Sequence, residues 1–196
     1  WSRGFGLADI ENQVPATAET RYRTASMGKS ITATAAMRLV EEGRVTLDAP
    51  IQEWCPAFPR KPWPITLRHL LSHLSGIRHY GGPRDAEEQS STTHYETITA
   101  ALAPFRDDSL RFEPGTDYLY STYGYDVAGC VIEGAAGAPF MDVIRRTVFT
   151  PAGMSDARDD DPSAVIPHRA AGYVRRDGRL LNATHVDMRN RLPAGG

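Results

Sequence analysis

Apolar positions recur every three or four residues over several stretches of the chain, and these stretches predict its helices. From Ser26 to Glu42, Met27, Ile31, Ala35 and Leu39 follow helical spacing, and Gly43 supplies a C-terminal stop. This segment is rich in Ala and Thr, so neighbours can approach it closely, which suits a buried central helix. A shorter helix is expected after Thr66, which caps it; Leu67, Leu70, Leu71 and Leu74 form its apolar face and Gly76 ends it. Further helices are predicted over Tyr95–Ala103 and over Tyr123–Ala136, the latter with Val127, Val131 and Ala135 on one face and Gly137 behind it. Pro139 then opens another at its first helical position.

Between these stretches the pattern breaks. "TLDAPI" turns the chain, and "WCPAFPRKPWPIT", with four prolines, excludes regular structure. Gly81 to Thr93 is polar and reads as a loop, and "FEPGTDYLYS" is a Pro-Gly turn followed by an extended aromatic segment. Near the ends the period shortens to two. Trp1 to Gly6 reads as a strand without a partner, and "AGYVRRDGRLLNA" has the alternation and Asp-Gly turn of a β-hairpin. Both ends read as cut from a longer protein.

Composition narrows the classes. A chain of 196 residues fits one domain or one and a half, and its 41% hydrophobic and 23% charged content is that of an ordinary soluble globular protein. No apolar run approaches the roughly 18 residues that a membrane helix needs, and a formal charge of -2 leaves no electrostatic footprint for nucleic acid. Cys55 and Cys130 are compatible with either free thiols or one pair. No secretory signal is visible.

The charged positions hold one anomaly. Of twenty-two basic residues only Lys29 and Lys61 are lysines. Arginine stays protonated in proteins, whereas lysine can give up its proton. Lys29 lies three residues after Ser26 in "TASMGKSITA", so the two side chains share one helix face, one turn apart. At a helix start, free N–H groups and the positive end of the dipole favour a developing negative charge and disfavour an ammonium. The arrangement supplies a serine nucleophile and an amine able to take its proton, and Gly28 leaves room beside them. An isolated S-x-x-K also occurs on ordinary surface helices. A second feature is Tyr120 in "YLYSTYGY", after a Pro-Gly turn and just before a helix, where a phenol can project into a cleft and relay a proton. Tyr118, Tyr120, Tyr123 and Tyr125 are equally readable as packing aromatics.

The blocks "TASMGKSIT", "GRVTLDAPI", "ITLRHLLSHLSGIRHY", "FEPGTDYLYSTYGY" and "PAGG", in this order, resemble the serine β-lactamase and penicillin-binding-protein superfamily. The likeness lies in its class C and esterase-like branch, with the mitochondrial β-lactamase-like proteins and their bacterial relatives. It runs over nearly the whole chain. It implies an α+β, β-lactamase/transpeptidase-like fold, a helical region packed on an antiparallel sheet that would be incomplete here. One partial domain is expected over 1–196: an edge strand and the nucleophile helix in 1–45, a mainly helical part in 46–160, and a return to the α/β part in 161–196. The resemblance implies a serine hydrolase acting through a covalent acyl-enzyme on peptides, esters or β-lactam-like substrates, without a cofactor. Ser26 matches the nucleophile, Lys29 its general base and Tyr120 the tyrosine of the Y-x-N motif. The third position of that motif is Thr122, a substrate-binding position that offers one hydroxyl where Asn offers a carbonyl and an amide. The third motif, H/K-x-G, falls beyond "PAGG". This stretch alone is therefore expected to turn over little, because the missing strand carries an oxyanion donor worth roughly 2.7–4 kcal/mol.

Two other readings arise. His69 and His73, at i and i+4 with His79 close behind, have metal-ligand spacing but lack the Glu of H-E-x-x-H, and the resemblance implies a structural helix beside the site, so no metal is expected. The mitochondrial members assemble into filaments, which implies a possible homo-oligomer and, as an alternative function, a weakly active self-associating scaffold. A bacterial extracytoplasmic location is expected, with a mitochondrial one as the alternative.

Overall fold

The computed structural model describes residues 1–81, 85–184 and 186–195. A hairpin of β1 (Leu7–Asp9) and β2 (Val14–Pro15) leads to a 3-10 turn, Ala25–Met27, which runs directly into α1 (Gly28–Glu41). The helices α2 (Leu67–Leu71), α3 (Asp85–Gln89), α4 (Ile98–Ala101), α5 (Thr122–Ala136) and α6 (Phe140–Ile144) follow, and α6 continues as a π-helical turn, Arg145–Phe149. A second hairpin, β3 (Tyr173–Arg176) and β4 (Arg179–Asn182), precedes a kinked 3-10 segment, Met188–Ala194.

The central element is α5. Its N-terminus is capped by Ser121, whose hydroxyl accepts from the Gly124 N–H, and it stops at Gly137, which takes the left-handed conformation at φ 60°. Twelve of its fifteen residues are buried, because α1, α2, α4, α6 and the 188–194 segment enclose it. Two glycines allow the closest approaches. A Cβ at Gly129 would lie 2.2 Å from the Pro193 ring, and one at Gly134 only 1.7 Å from the Trp54 carbonyl oxygen. The Ala-rich α1, expected to be central, instead buries a single stripe of Lys29, Thr32, Ala35, Ala36 and Leu39. Arg38, Met37 and Glu41 occupy its solvent side, which its small residues do not reveal.

Several boundaries move for identifiable reasons. The N-terminal strand begins at Leu7 rather than Trp1, and its partner is β2, reached through a turn in which Asp9 accepts from the Asn12 backbone and side chain. The predicted strand of residues 1–6 is irregular. Thr66 caps α2 as expected, in a reciprocal capping box with His69, but the helix ends at Leu71. His73 adopts φ 60° beyond that end, so His69 and His73 do not share a helix face. Among the described residues no His, Cys, Asp and Glu cluster could hold a metal ion. The segment read as a loop after Gly81 contains α3, although residues 82–84 lie outside the described residues. The predicted 95–103 helix shrinks to α4 because Thr97 caps it, accepting from the Ala100 N–H. Pro139 is the N-cap of α6 rather than its first helical residue. The β3–β4 hairpin is formed as read, with Asp177 and Gly178 both at positive φ as a two-residue turn of this kind requires. It lies against the first hairpin through the Ala171 N–H to the Ala8 carbonyl (2.8 Å) and the Ile10 N–H to the Tyr173 hydroxyl (2.9 Å). The antiparallel sheet is thus represented by two small hairpins side by side.

Cys55 and Cys130 form a disulfide, the alternative that sequence left open. It fastens the Pro-rich segment to the middle of α5 across a sequence separation of 75 residues. Both residues are buried in the core beside Phe58 and Val131. Closing a loop of that size restricts the unfolded chain, and removing a native disulfide costs about 2–5 kcal/mol. The Cys55→Ala/Cys130→Ala double variant is expected to melt on the order of 10 °C lower than the parent. Thermal melts with and without reductant, alongside a thiol count by intact mass, check this.

Candidate active site

Two side chains, Tyr120 and Lys29, converge on the hydroxyl of Ser26. Ser26 sits on the 3-10 turn ahead of α1, its side chain open to solvent. The residue before it, Ala25, is held at φ 47°, a left-handed conformation that costs a non-glycine residue of order 1 kcal/mol. The Tyr120 hydroxyl donates to Ser26 Oγ at 2.7 Å, and Lys29 Nζ approaches the same oxygen at 3.4 Å. Lys29 is only 6% exposed, and its ammonium has further acceptors in the Ala194 carbonyl (2.9 Å) and Thr122 Oγ1 (3.5 Å). It also lies 5.0 Å from the Tyr120 ring centre and 5.6 Å from that of Tyr125. Ser26, Lys29, Tyr120 and Thr122, the four positions singled out in the sequence, therefore meet in one place.

The 188–195 segment forms the floor beneath Lys29. The Thr32 hydroxyl donates to the Pro193 carbonyl at 2.7 Å, and Gly195 packs on the nucleophile turn so closely that a Cβ there would lie 1.6 Å from the Ala25 carbonyl oxygen. A Cβ on Gly28 would lie 2.6 Å from the Gly195 Cα. Gly28, read as leaving space beside the nucleophile, thus leaves it for this backbone. The contribution of Ala194 was not legible: a carbonyl ligand to an ammonium has no side-chain signature.

Electrostatics follow from the burial of Lys29. Burial alone would raise the Tyr120 phenol, but hydrogen bonding to Lys29 and Ser26, together with the Lys29 charge, outweighs it and holds the phenol below its ordinary value. His73 lies below the usual imidazole range, first through burial and then through the charge of Lys29. Asp126, one turn along α5 from Thr122, is fully buried, and neither carboxyl oxygen has a hydrogen-bond partner among the described residues. Burial pushes it well above the usual carboxylate range, and Arg191 and Lys29 offset only part of that. This buried carboxyl beside the site is a feature that no spacing in the sequence marks.

The chain as a whole, with this site, is similar to known proteins. The family model described as Beta-lactamase matches residues 1–196. The chain belongs to this family. The serine beta-lactamase-like protein LACTB, mitochondrial, of Mus musculus is 30% identical over 268 residues, covering 100% of this chain and 48% of its own. Esterase EstB of Burkholderia gladioli is 35% identical over 169 residues, covering 80% of this chain and 43% of its own. The crystal structure of a penicillin binding protein from Bacillus halodurans superposes with a TM-score of 0.81 at 28% identity, covering 93% of this chain and 56% of that one. The chain spans about half the length of the curated relatives it matches. The β-lactamase/transpeptidase-like fold expected from the sequence motifs is thereby established, and its sheet is smaller than in the complete solved chains.

Proposed function

We propose that this chain carries the nucleophile region of a serine hydrolase that works through a covalent acyl-enzyme. The observation that carries the reading is the convergence of the Tyr120 hydroxyl and Lys29 Nζ on Ser26 Oγ. In this reading Ser26 Oγ attacks an acyl carbon, and its proton passes to Lys29 Nζ. Tyr120 gives its hydroxyl proton to the departing group and regains one from Lys29, to which it is hydrogen-bonded, so that the serine proton ends on the leaving group. The Ser26 N–H supplies one oxyanion donor. Water then releases the acyl group by the same proton path in reverse.

The substrate proposed is an ester in preference to a β-lactam or amide. Thr122 replaces the Asn of the Y-x-N motif, and its single hydroxyl is buried and turned to Lys29, so it offers a substrate amide little to bind. The relative EstB is named an esterase, in keeping with this choice. The Cys55–Cys130 disulfide supports an oxidising, extracytoplasmic compartment over a reducing one. Homo-oligomerisation is part of the same proposal.

A fluorophosphonate probe tests the chemistry. One adduct on the peptide containing Ser26, by intact mass and peptide mapping, is expected from the chain and from the protein that carries it. In the latter, kcat/KM for an activated ester should exceed that for a chromogenic β-lactam by at least about tenfold, or roughly 1.4 kcal/mol. Absence of an adduct on well-folded protein would favour the scaffold alternative.

A further inference from the structure

We propose that His73 is a positioning residue that clamps the backbone on both sides of Tyr120 and so holds the phenol on Ser26. The proposal rests on the reading of Ser26 as nucleophile. Two bonds from one residue carry it. The Leu119 N–H donates to the His73 carbonyl at 3.0 Å, and the Ser121 N–H donates to His73 Nδ1 at 3.1 Å. The residues so held are the immediate neighbours of Tyr120. His73 can reach both because it sits just past the end of α2 in the left-handed conformation, φ 60°, which directs main chain and ring to the same segment. Its ring packs on Tyr120 at 4.5 Å between centroids and on Tyr125 at 5.2 Å, with Tyr118 edge-on at 6.0 Å. The next amide, that of Thr122, donates to His79 Nδ1 at 3.1 Å. The amides of residues 119, 121 and 122 therefore all end on the two histidines.

An acceptor Nδ1 fixes the tautomer: the ring proton is on Nε2. Protonating Nδ1 would set an N–H donor against the Ser121 N–H and open the clamp. The titratable groups around the ring are Lys29, Tyr118, Tyr120 and Tyr125. Burial and the Lys29 charge both oppose protonation, so the clamp is complete above the ordinary imidazole value of about 6.5 and is lost as pH falls through the lower value in the folded protein.

Two substitutions separate the clamp from the backbone conformation. H73G tolerates positive φ and keeps the carbonyl that accepts from Leu119 but has no side-chain acceptor for Ser121. H73N also tolerates it and places Oδ1 where Nδ1 was. With the fluorophosphonate probe, H73G is expected to label Ser26 about 10–100-fold more slowly than the parent, as misplacement of a reacting group by about an ångström would cause. H73N should stay within about fivefold, with the parent's fall in labelling rate on acidification reduced or absent. Equal rates for H73G and H73N, or a parent-like rate for H73G, would overturn the proposal. The second measurement needs no reactivity: nitrogen NMR of labelled histidine should show His73 protonated on Nε2 and accepting at Nδ1 at neutral pH. A proton on Nδ1 would refute the clamp. Failure of the parent to label would instead count against the nucleophile assignment, leaving the tautomer to decide the fate of His73.

Discussion

Ser26→Ala is expected to abolish ester turnover and probe labelling in the protein that carries this chain, with a loss of at least about 10³-fold, while the fold persists. The asymmetry follows from where the residue sits. Ser26 is exposed on a 3-10 turn and buries no apolar surface. Among the described residues its hydroxyl bonds only to Tyr120 and Lys29, and Lys29 keeps the Ala194 carbonyl and Thr122 when the hydroxyl is gone. The change in stability should therefore be no larger than the roughly 1 kcal/mol of a single exposed hydrogen bond. Hydrolysis of an activated ester, read beside a thermal melt, checks both halves. Turnover near the parent rate in a folded variant would remove Ser26 from the mechanism.

Much of this site was legible because its chemistry depends on residue types at fixed local spacing. Ser26 and Lys29 are one helical turn apart whatever surrounds them, and Tyr120 precedes a helix whose start is marked by Ser121 as N-cap. What escaped depends on contacts between distant segments. The histidines at 69, 73 and 79 suggested a metal face, yet His73 leaves the helix and turns its ring to an amide forty-eight positions away. The floor made by 193–195 is backbone packed on backbone, and its signal in the sequence is only that Gly28 and Gly195 lack side chains. The central role of α5 was hidden for a similar reason. Its glycines look like weak points in a helix, whereas here they are the places where Pro193 and Trp54 press against it. The disulfide joins positions 75 residues apart, a pairing that two cysteines by themselves leave undetermined.

The largest test of the proton path is Lys29→Arg, expected to be nearly as damaging as Lys29→Ala, each lowering kcat about 10²–10⁴-fold. Arg preserves the positive charge and much of the length, so a purely electrostatic Lys29 would survive the exchange. A base would not, since guanidinium does not deprotonate at neutral pH. The structure adds a steric reason. Lys29 is buried between the Ala194 carbonyl and Thr122, under the rings of Tyr120 and Tyr125, in a space shaped for a compact ammonium. Steric displacement and loss of the base are separated by exogenous primary amines. If the proton acceptor is what is missing, a small alkylamine should partly restore ester hydrolysis in Lys29→Ala, with a rate that rises with pH as the amine becomes neutral, and should not do so in Lys29→Arg, where the guanidinium fills the space. Melting temperatures of all three proteins show whether the fold is shared. Retention of most of the activity by Lys29→Arg would make Lys29 an electrostatic or structural residue. The base would then have to be sought elsewhere, and the Tyr120 oxygen, 2.7 Å from Ser26 Oγ, is in position to take the proton once it has given up its own.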